Sequence, residues 1–388
     1  MKNVYLDYSA TTPIDPRVLA AMMPLFAETF GNASSVHAFG REARSILETS
    51  RERVARCIGA KADELFFTSG GTESDNYALK GVAVAARKKG KNHIIISAIE
   101  HHAVLHPANS LRREGFEVDV LPVDGFGMVD PAFVHKKIRS TTSLVSIMHG
   151  NNEVGTIQPI HEIGLIAREH GIVFHSDTVQ TTGKIKVDAD ALGVDLLSLS
   201  AHKLYGPKGI GAIYIRKGTQ IDSLIEGGAQ ESNRRAGTEN VPLAVGFAVA
   251  MELGAEILEQ EAERVQGMKV RMAERLRKEF EGLLFNGHPS QCLPNILSVS
   301  FDSAKVPIDG EALIMGMDLR GVAVTSGSAC TSGSLQPSHV LRAMGRDEKT
   351  ARATVRFSLG RSTNQEDLDY AVEALRTVVA TARKASGS

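Results

Sequence analysis

Seven short apolar runs punctuate the chain as far as residue 215: Leu65–Thr68, His93–Ser97, Phe116–Leu121, Leu144–Met148, Ile172–His175, Leu196–Ser200 and Ala212–Ile215. Each is too short for a stable helix and is bounded by turn residues, which predicts strands. Between most of them lie amphipathic stretches with apolar residues at helical spacing, notably Glu73–Arg87, the residues before Gly115, and Pro159–His170. Strands alternating with helices predict an α/β fold, a mostly parallel sheet covered on both faces. Ahead of it, Asp15-Pro16 reads as a helix N-cap with proline at the first position, and Gly31 stands where that helix is expected to stop.

Past Val241 the pattern changes. A long helical stretch runs to about Glu281, with breaks expected near Gly254 and Gly267. It is followed by Asn295–Phe301, a helix near Glu311–Leu319, strands near Val322 and Val355, and a last helix from Glu366 to Arg383. This predicts a second, smaller α+β domain. The expected division is residues 15–258 for the large domain, with 1–14 and 259–388 for the small one.

Composition adds exclusions. The 388 residues are 43% hydrophobic and 23% charged, ordinary for a globular chain with a sizeable core. A net charge of -1 carries no footprint for nucleic acid. The longest uncharged apolar stretch on a predicted helix, Val241–Met251, is far short of the roughly 20 residues that span a bilayer. Asp7 interrupts the N-terminus before a signal sequence develops. The three cysteines, Cys57, Cys292 and Cys330, form no metal or disulfide spacing, which fits a reduced, cytoplasmic setting.

In open parallel sheets ligands bind beyond the carboxyl ends of the strands. Polar clusters follow five of the predicted strands there: Ser69–Asn76, Glu100–His102, Gly150–Glu153, Asp177–Gln180 and His202–Lys203. One shared site is expected. A lysine in a crowded, desolvated setting can hold a carbonyl cofactor, and an aspartate such as Asp177 can keep a pyridine nitrogen protonated. The pair suits pyridoxal 5′-phosphate; a structural salt bridge is the alternative. Thr68-Ser-Gly-Gly-Thr-Glu-Ser-Asp-Asn opens a helix after a strand. Its glycines and exposed N–H groups suit a phosphate, or else Thr72 or Ser69 simply caps the helix. Among His101, His102 and His106 position alone does not choose. Pro107 and the lack of further ligands argue against a metal on that pair. Cys330 lies in the small, polar Thr325-Ser-Gly-Ser-Ala-Cys-Thr-Ser-Gly-Ser, the composition of a mobile loop that can present a reactive thiol. Cys57 instead sits in an apolar pattern. Arg356 and Arg361 each suit a substrate carboxylate.

With these residues in view, the chain resembles the cysteine desulfurases of the NifS/IscS type, class V of the fold type I, aspartate-aminotransferase-like PLP enzymes. The resemblance runs from Tyr5-Leu-Asp-Tyr-Ser-Ala-Thr-Thr-Pro to Arg356-Phe-Ser-Leu-Gly-Arg, through GTESDN, EHHAVL, MHGNNEVG, FHSDTVQ, SAHKLYGPKG, RRAGTEN and SGSACTSGSLQPSHVLR. It implies removal of sulfur from L-cysteine to give L-alanine and a persulfide on Cys330, handed on for iron–sulfur cluster assembly or other sulfur trafficking.

The resemblance also implies a role at each matching position. Lys203 would carry the cofactor and abstract the Cα proton. Asp177 would meet the pyridinium, Gln180 the phenolic oxygen, and His101 would stack on the ring. Gly71, Thr72, Ser200 and His202 would bind the phosphate, with Thr238 arriving from a second subunit of a homodimer. Asn152 and Arg356 would hold the substrate carboxylate. The tail after Tyr370 lacks the longer extension with which housekeeping members dock their scaffold, so the sulfur acceptor stays open. A selenocysteine lyase or an aminotransferase of the same class is the neighbouring reading, and Cys330 discriminates, since an aminotransferase needs no thiol there. A non-catalytic scaffold would have no need of Lys203, Asp177, His101 and Cys330 together.

Overall fold

The structure, a computed structural model, describes residues 2–327 and 336–386. The seven predicted runs form one sheet: β2 (Leu65–Thr68), β3 (His93–Ser97), β4 (Glu117–Leu121), β5 (Thr142–Ser146), β6 (Val173–Asp177), β7 (Leu196–Ser200) and β8 (Gly211–Ile215), after a short β1 (Val4–Tyr5). The spatial order is β2-β8-β7-β6-β5-β3-β4. Only β8 runs against its neighbours. Side chains alternate across the sheet. Phe67, Ile95, Val145, Phe174, Leu197 and Tyr214 join one core, while Phe66, Ile94, Leu144, Leu196 and Ile213 join the other. Burial on both faces is why these strands read as unbroken apolar runs.

Helices Ala38–Cys57 and Val241–Glu256 cover the first face; Gly71–Asn76, continued through Tyr77–Gly81 and Val82–Arg87, covers the other with His102–Arg113. Asp15 caps helix Pro16–Met22 as expected, accepting from the Arg17 N–H at 2.9 Å. The expected stop at Gly31 is corrected. Pro24 has no N–H to continue an α-helical ladder, and the chain tightens to a 3₁₀ turn over Met23–Phe26. The long helical stretch breaks once, at Ile257, where its two segments are bent by 70°. Gly267 lies inside the unbroken Leu258–Glu279. Its intrinsic cost of about 1 kcal/mol is outweighed by the buried face of Val265, Met268, Met272 and Leu276.

A separate core gathers Val4 and Leu6 with Val265–Val379. It encloses the antiparallel sheet of β9 (Leu283–Asn286), β10 (Ile296–Phe301) and β12 (Thr354–Ser358), and the parallel pair of β1 with β11 (Val322–Ala323). Among the described residues no single helix is long and apolar enough to cross a membrane. The bent pair Val241–Glu256 and Leu258–Glu279 passes that test only by length and composition, and the first of the two is a core helix.

Candidate active site

Register sets the level of the site. Thr68 and Ser200 both face Gly211, so β2 and β7 end together with β8 between them. Beyond β2, Gly70 turns at φ 152°, which an L side chain rarely adopts, and starts helix Gly71–Asn76 with no side-chain cap. A Cβ on Gly71 would stand 2.7 Å from Val179 Cγ2, so only glycine lets the backbone lie this close to the loop after β6. Neither Ser69 nor Thr72 caps the helix, leaving its first N–H groups open beside Ser200 and His202: the chemistry of a phosphate cradle. Arg235 clamps this end through a bidentate pair with Glu73, at 2.8 and 3.1 Å.

The cradle is one end of a cavity of about 440 Å³ that also takes in His101, Asn152, Asp177, Gln180, Lys203 and Arg356. Asp177 is the last residue of β6, which runs two residues further than predicted. Burial pushes its carboxyl up to about 6, against the pull of the Val179 N–H, which its Oδ1 accepts at 2.9 Å, and of Lys203. Lys203 ends the 3₁₀ turn that follows β7, and its Nζ donates to the carbonyls of Ser9 and Ala10 at 2.6 and 2.7 Å. Burial lowers the amine to about 8, helped by the Arg356 charge. Gln180 Nε2 donates to the same Ser9 carbonyl at 2.9 Å. His101 caps helix His102–Arg113. Its Nδ1 accepts the Ala103 N–H at 3.1 Å, so Nε2 carries the proton of the neutral ring. Burial, then Lys203, holds His101 near 4. His202, which meets Thr11 Oγ1 through Nδ1 at 3.1 Å, is likewise held near 4 by burial and Lys203.

At the other end Arg356, on β12, is fixed by the Asn152 carbonyl and by Asp7 Oδ1, each at 2.7 Å. Its buried Nε has no partner among the described residues. A guanidinium fixed at two nitrogens on the wall of a cavity suits a carboxylate. Cys330 lies outside the described residues. Before it, Thr325 and Gly327 line the cavity; after it, Ser338 donates to Glu153 and His339 Nε2 meets the Glu100 carbonyl at 3.0 Å.

Some expected residues lie elsewhere. Thr238 lines a separate cleft with Ser69, Glu231 and Arg235. Arg361 pairs with Asp15 at 3.2 Å and stacks on the Tyr205 ring, so the cavity takes Arg356 of the two arginines. His102 packs between His106 and His339, ring centroids 4.9 Å from each, and only His101 reaches the cavity. Sequence reasoning passed over Asp7, Ser9, Asp75 and Lys184. For Asp75 a signal existed: it stands on the buried stripe of its helix with Ala78, Leu79 and Val82. Lys184, whose Nζ donates to the Lys203 carbonyl at 3.2 Å, is lowered to about 7 by burial and carried no local signal.

The residues present fit pyridoxal phosphate. Ser9, Gln180 and Arg356 line the cavity, and each carries a buried side-chain atom (Oγ, Oε1 and Nε) without a hydrogen-bond partner among the described residues, an arrangement that suits a polar occupant. Fold and site together are those of a fold type I pyridoxal-phosphate enzyme. The chain belongs to the class-V aminotransferase family, whose model matches residues 4–371. It is 51% identical over 97% of its length, and 95% of the relative's, to the cysteine desulfurase IscS of Dictyoglomus turgidum. A solved NifS-like protein is 40% identical with a TM-score of 0.91, covering 98% of this chain and 100% of that one. A structure described as SspA in complex with cysteine is 37% identical with a TM-score of 0.81, covering 92% and 99%.

Proposed function

We infer that the chain is a cysteine desulfurase: L-cysteine and the Cys330 thiol give L-alanine and a Cys330 persulfide. The observation that carries this reading is one cavity holding a half-buried amine with a lowered pKa, a buried carboxylate, an open helix N-terminus and a guanidinium, and lined by Thr325 and Gly327 of the segment whose sequence continues to Cys330. Bound pyridoxal phosphate supplies the aldehyde and the electron-withdrawing ring that make the Cα proton of an attached amino acid acidic.

The chain's own residues do the rest. Lys203 would hold the cofactor and take the Cα proton of the substrate; its depressed amine gives it a neutral form near physiological pH. Asp177 keeps a negative charge at the pyridine end. The helix beginning at Gly71, with Thr72, Ser200 and His202, would hold the phosphate, and Gln180 and His101 would hold the ring. Arg356 and Asn152 orient the substrate carboxylate. The Cys330 thiolate attacks the sulfur of L-cysteine; the S–S bond forms as the Cβ–S bond breaks, its electron pair stays on Cβ, and one proton added to Cβ and one returned to Cα complete alanine.

On this reading the enzyme is a cytoplasmic homodimer that passes sulfur to a protein acceptor for iron–sulfur clusters or tRNA thiolation, with a large domain of residues 15–258 and a small one of 1–14 and 259–388. Exposed Phe26, Phe30, Val36 and Phe39 form an apolar stretch beside the Thr238 loop, joined to it through Arg44 and Glu239 at 3.4 Å. A second copy seated there would bring Thr238 to its partner's phosphate cradle. Purified protein given L-cysteine and a reductant is expected to release alanine and sulfide in equal amounts. Cys330→Ala is expected to keep the cofactor's visible band and release no sulfide; sulfide at the parental rate would remove Cys330 from the mechanism.

A further inference from the structure

Asp75 shares the cavity with Asp177 and is just as buried, yet nothing in the mechanism uses it. It is 1% exposed, and its helix places it with Ala78, Leu79 and Val82 against the sheet. Oδ1 stands 3.6 Å from His175 Nε2, and the side-chain hydrogen bond to its carboxyl comes from Ser198. His175 offers no cation. Its Nδ1 meets Ser146 Oγ at 2.8 Å and its Nε2 meets Ser198 Oγ at 3.0 Å, and burial holds the ring near 3.

We propose that Asp75 is a positioning residue of this reaction: a neutral carboxylic acid on the cavity floor that leaves the one negative charge there to Asp177. Two carboxyls in one low-dielectric space do not both ionise. The charge settles where it is best stabilised, and Asp177 has the Val179 N–H and the pull of Lys203. Asp75 is driven well above the usual carboxylate range by burial, then by the charge on Asp177, against the weaker pull of a hydrogen bond from Ser198. The other titratable groups around it do not reverse this. Glu100 adds to the upward push, and its own carboxyl is raised to about 8 by burial. His101 is held neutral. Across the cavity Arg356 is paired with Asp7. A second anion beside Asp177 would pull the pyridine proton away from the position Asp177 serves; a neutral acid supplies a hydrogen bond without competing.

This rests on the cavity holding pyridoxal phosphate, and a parental protein without a visible cofactor band would sink that reading rather than this one. The test compares cofactor-loaded parent, Asp75→Asn, Asp75→Leu and Asp177→Asn by pH titration of the visible band and by cofactor dissociation in dialysis. Asp75→Asn, neutral and isosteric, is expected to match the parent within about twofold in proton affinity, while Asp177→Asn shifts it about tenfold or more. Asp75→Leu is expected to weaken cofactor retention several-fold. An Asp75→Asn titration displaced as far as that of Asp177→Asn means Asp75 is charged, and overturns the proposal. Parental retention in a folded Asp75→Leu also overturns it; should that variant not fold, the asparagine titration decides alone.

Discussion

At the scale of single residues, the site works by taking charges out of water and leaving each one partner short. Arg356 is the clearest case: two of its nitrogens are committed to Asn152 and Asp7, and Nε is buried without one. Arg356→Lys keeps the charge but loses the planar fork. It is expected to raise KM for L-cysteine roughly 10- to 100-fold with a smaller change in kcat and an unchanged cofactor band. An unchanged KM would remove Arg356 from substrate binding. Lys203 and Cys330 were legible because a lysine after an apolar strand and a cysteine among small polar residues break their local patterns. Asp75 left a weaker mark, an acid on the apolar stripe of Ala78, Leu79 and Val82, whose burial the packing makes plain. Lys184 was hidden: its meaning comes from the carbonyl of a residue nineteen positions away.

At the scale of elements, the strand ends hold groups whose protonation differs from that in the unfolded chain. Glu100, in the turn after β3, is fully buried; Oε1 accepts from Ser97 Oγ and the Met148 N–H, and burial raises the carboxyl from an ordinary 4.5 to about 8. Between those values the folded protein keeps a proton that the unfolded chain has lost. Its contribution to stability is therefore present in full below about pH 4.5 and is lost as pH rises through about 8. Glu100→Gln removes the titration and is expected to lose less melting temperature between pH 5 and pH 8 than the parent; equal losses would contradict the assigned shift. The strands themselves were legible because both faces of the sheet are buried. The limits of helices were less so: Pro24 ends a helix before Gly31 does, and Gly267 is carried by its neighbours' packing, which no local propensity reports.

At the scale of the molecule, β1 and the segment after it tie the two cores together. Asp7 pairs with Arg356 of the smaller core, and the Ser9 and Ala10 carbonyls receive the Lys203 amine of the larger. The site lies where the cores meet, so its parts come from distant stretches of sequence. Composition and periodicity gave the layers, while the meeting of Asp7 with Arg356, and of Ser9 and Ala10 with Lys203, required the fold. The chain in isolation also leaves Thr238 outside the cavity and Phe30 and Phe39 exposed. Light scattering is expected to give twice the chain mass, and Phe30→Asp with Phe39→Asp to shift it toward the single chain; a parent already at the single-chain mass would rule out the shared phosphate site.

Two half-buried lysines with depressed amines, Lys184 and Lys203, meet at the turn after β7, and of the two Lys203 lines the cavity with the phosphate cradle. Borohydride reduction of the purified, cofactor-bearing protein fixes the cofactor to whichever amine holds it, and peptide mass mapping then reads the position. The expected result is a single modified peptide with the label on Lys203. A label on Lys184, or no labelled lysine in a protein that shows the visible band, would contradict the account.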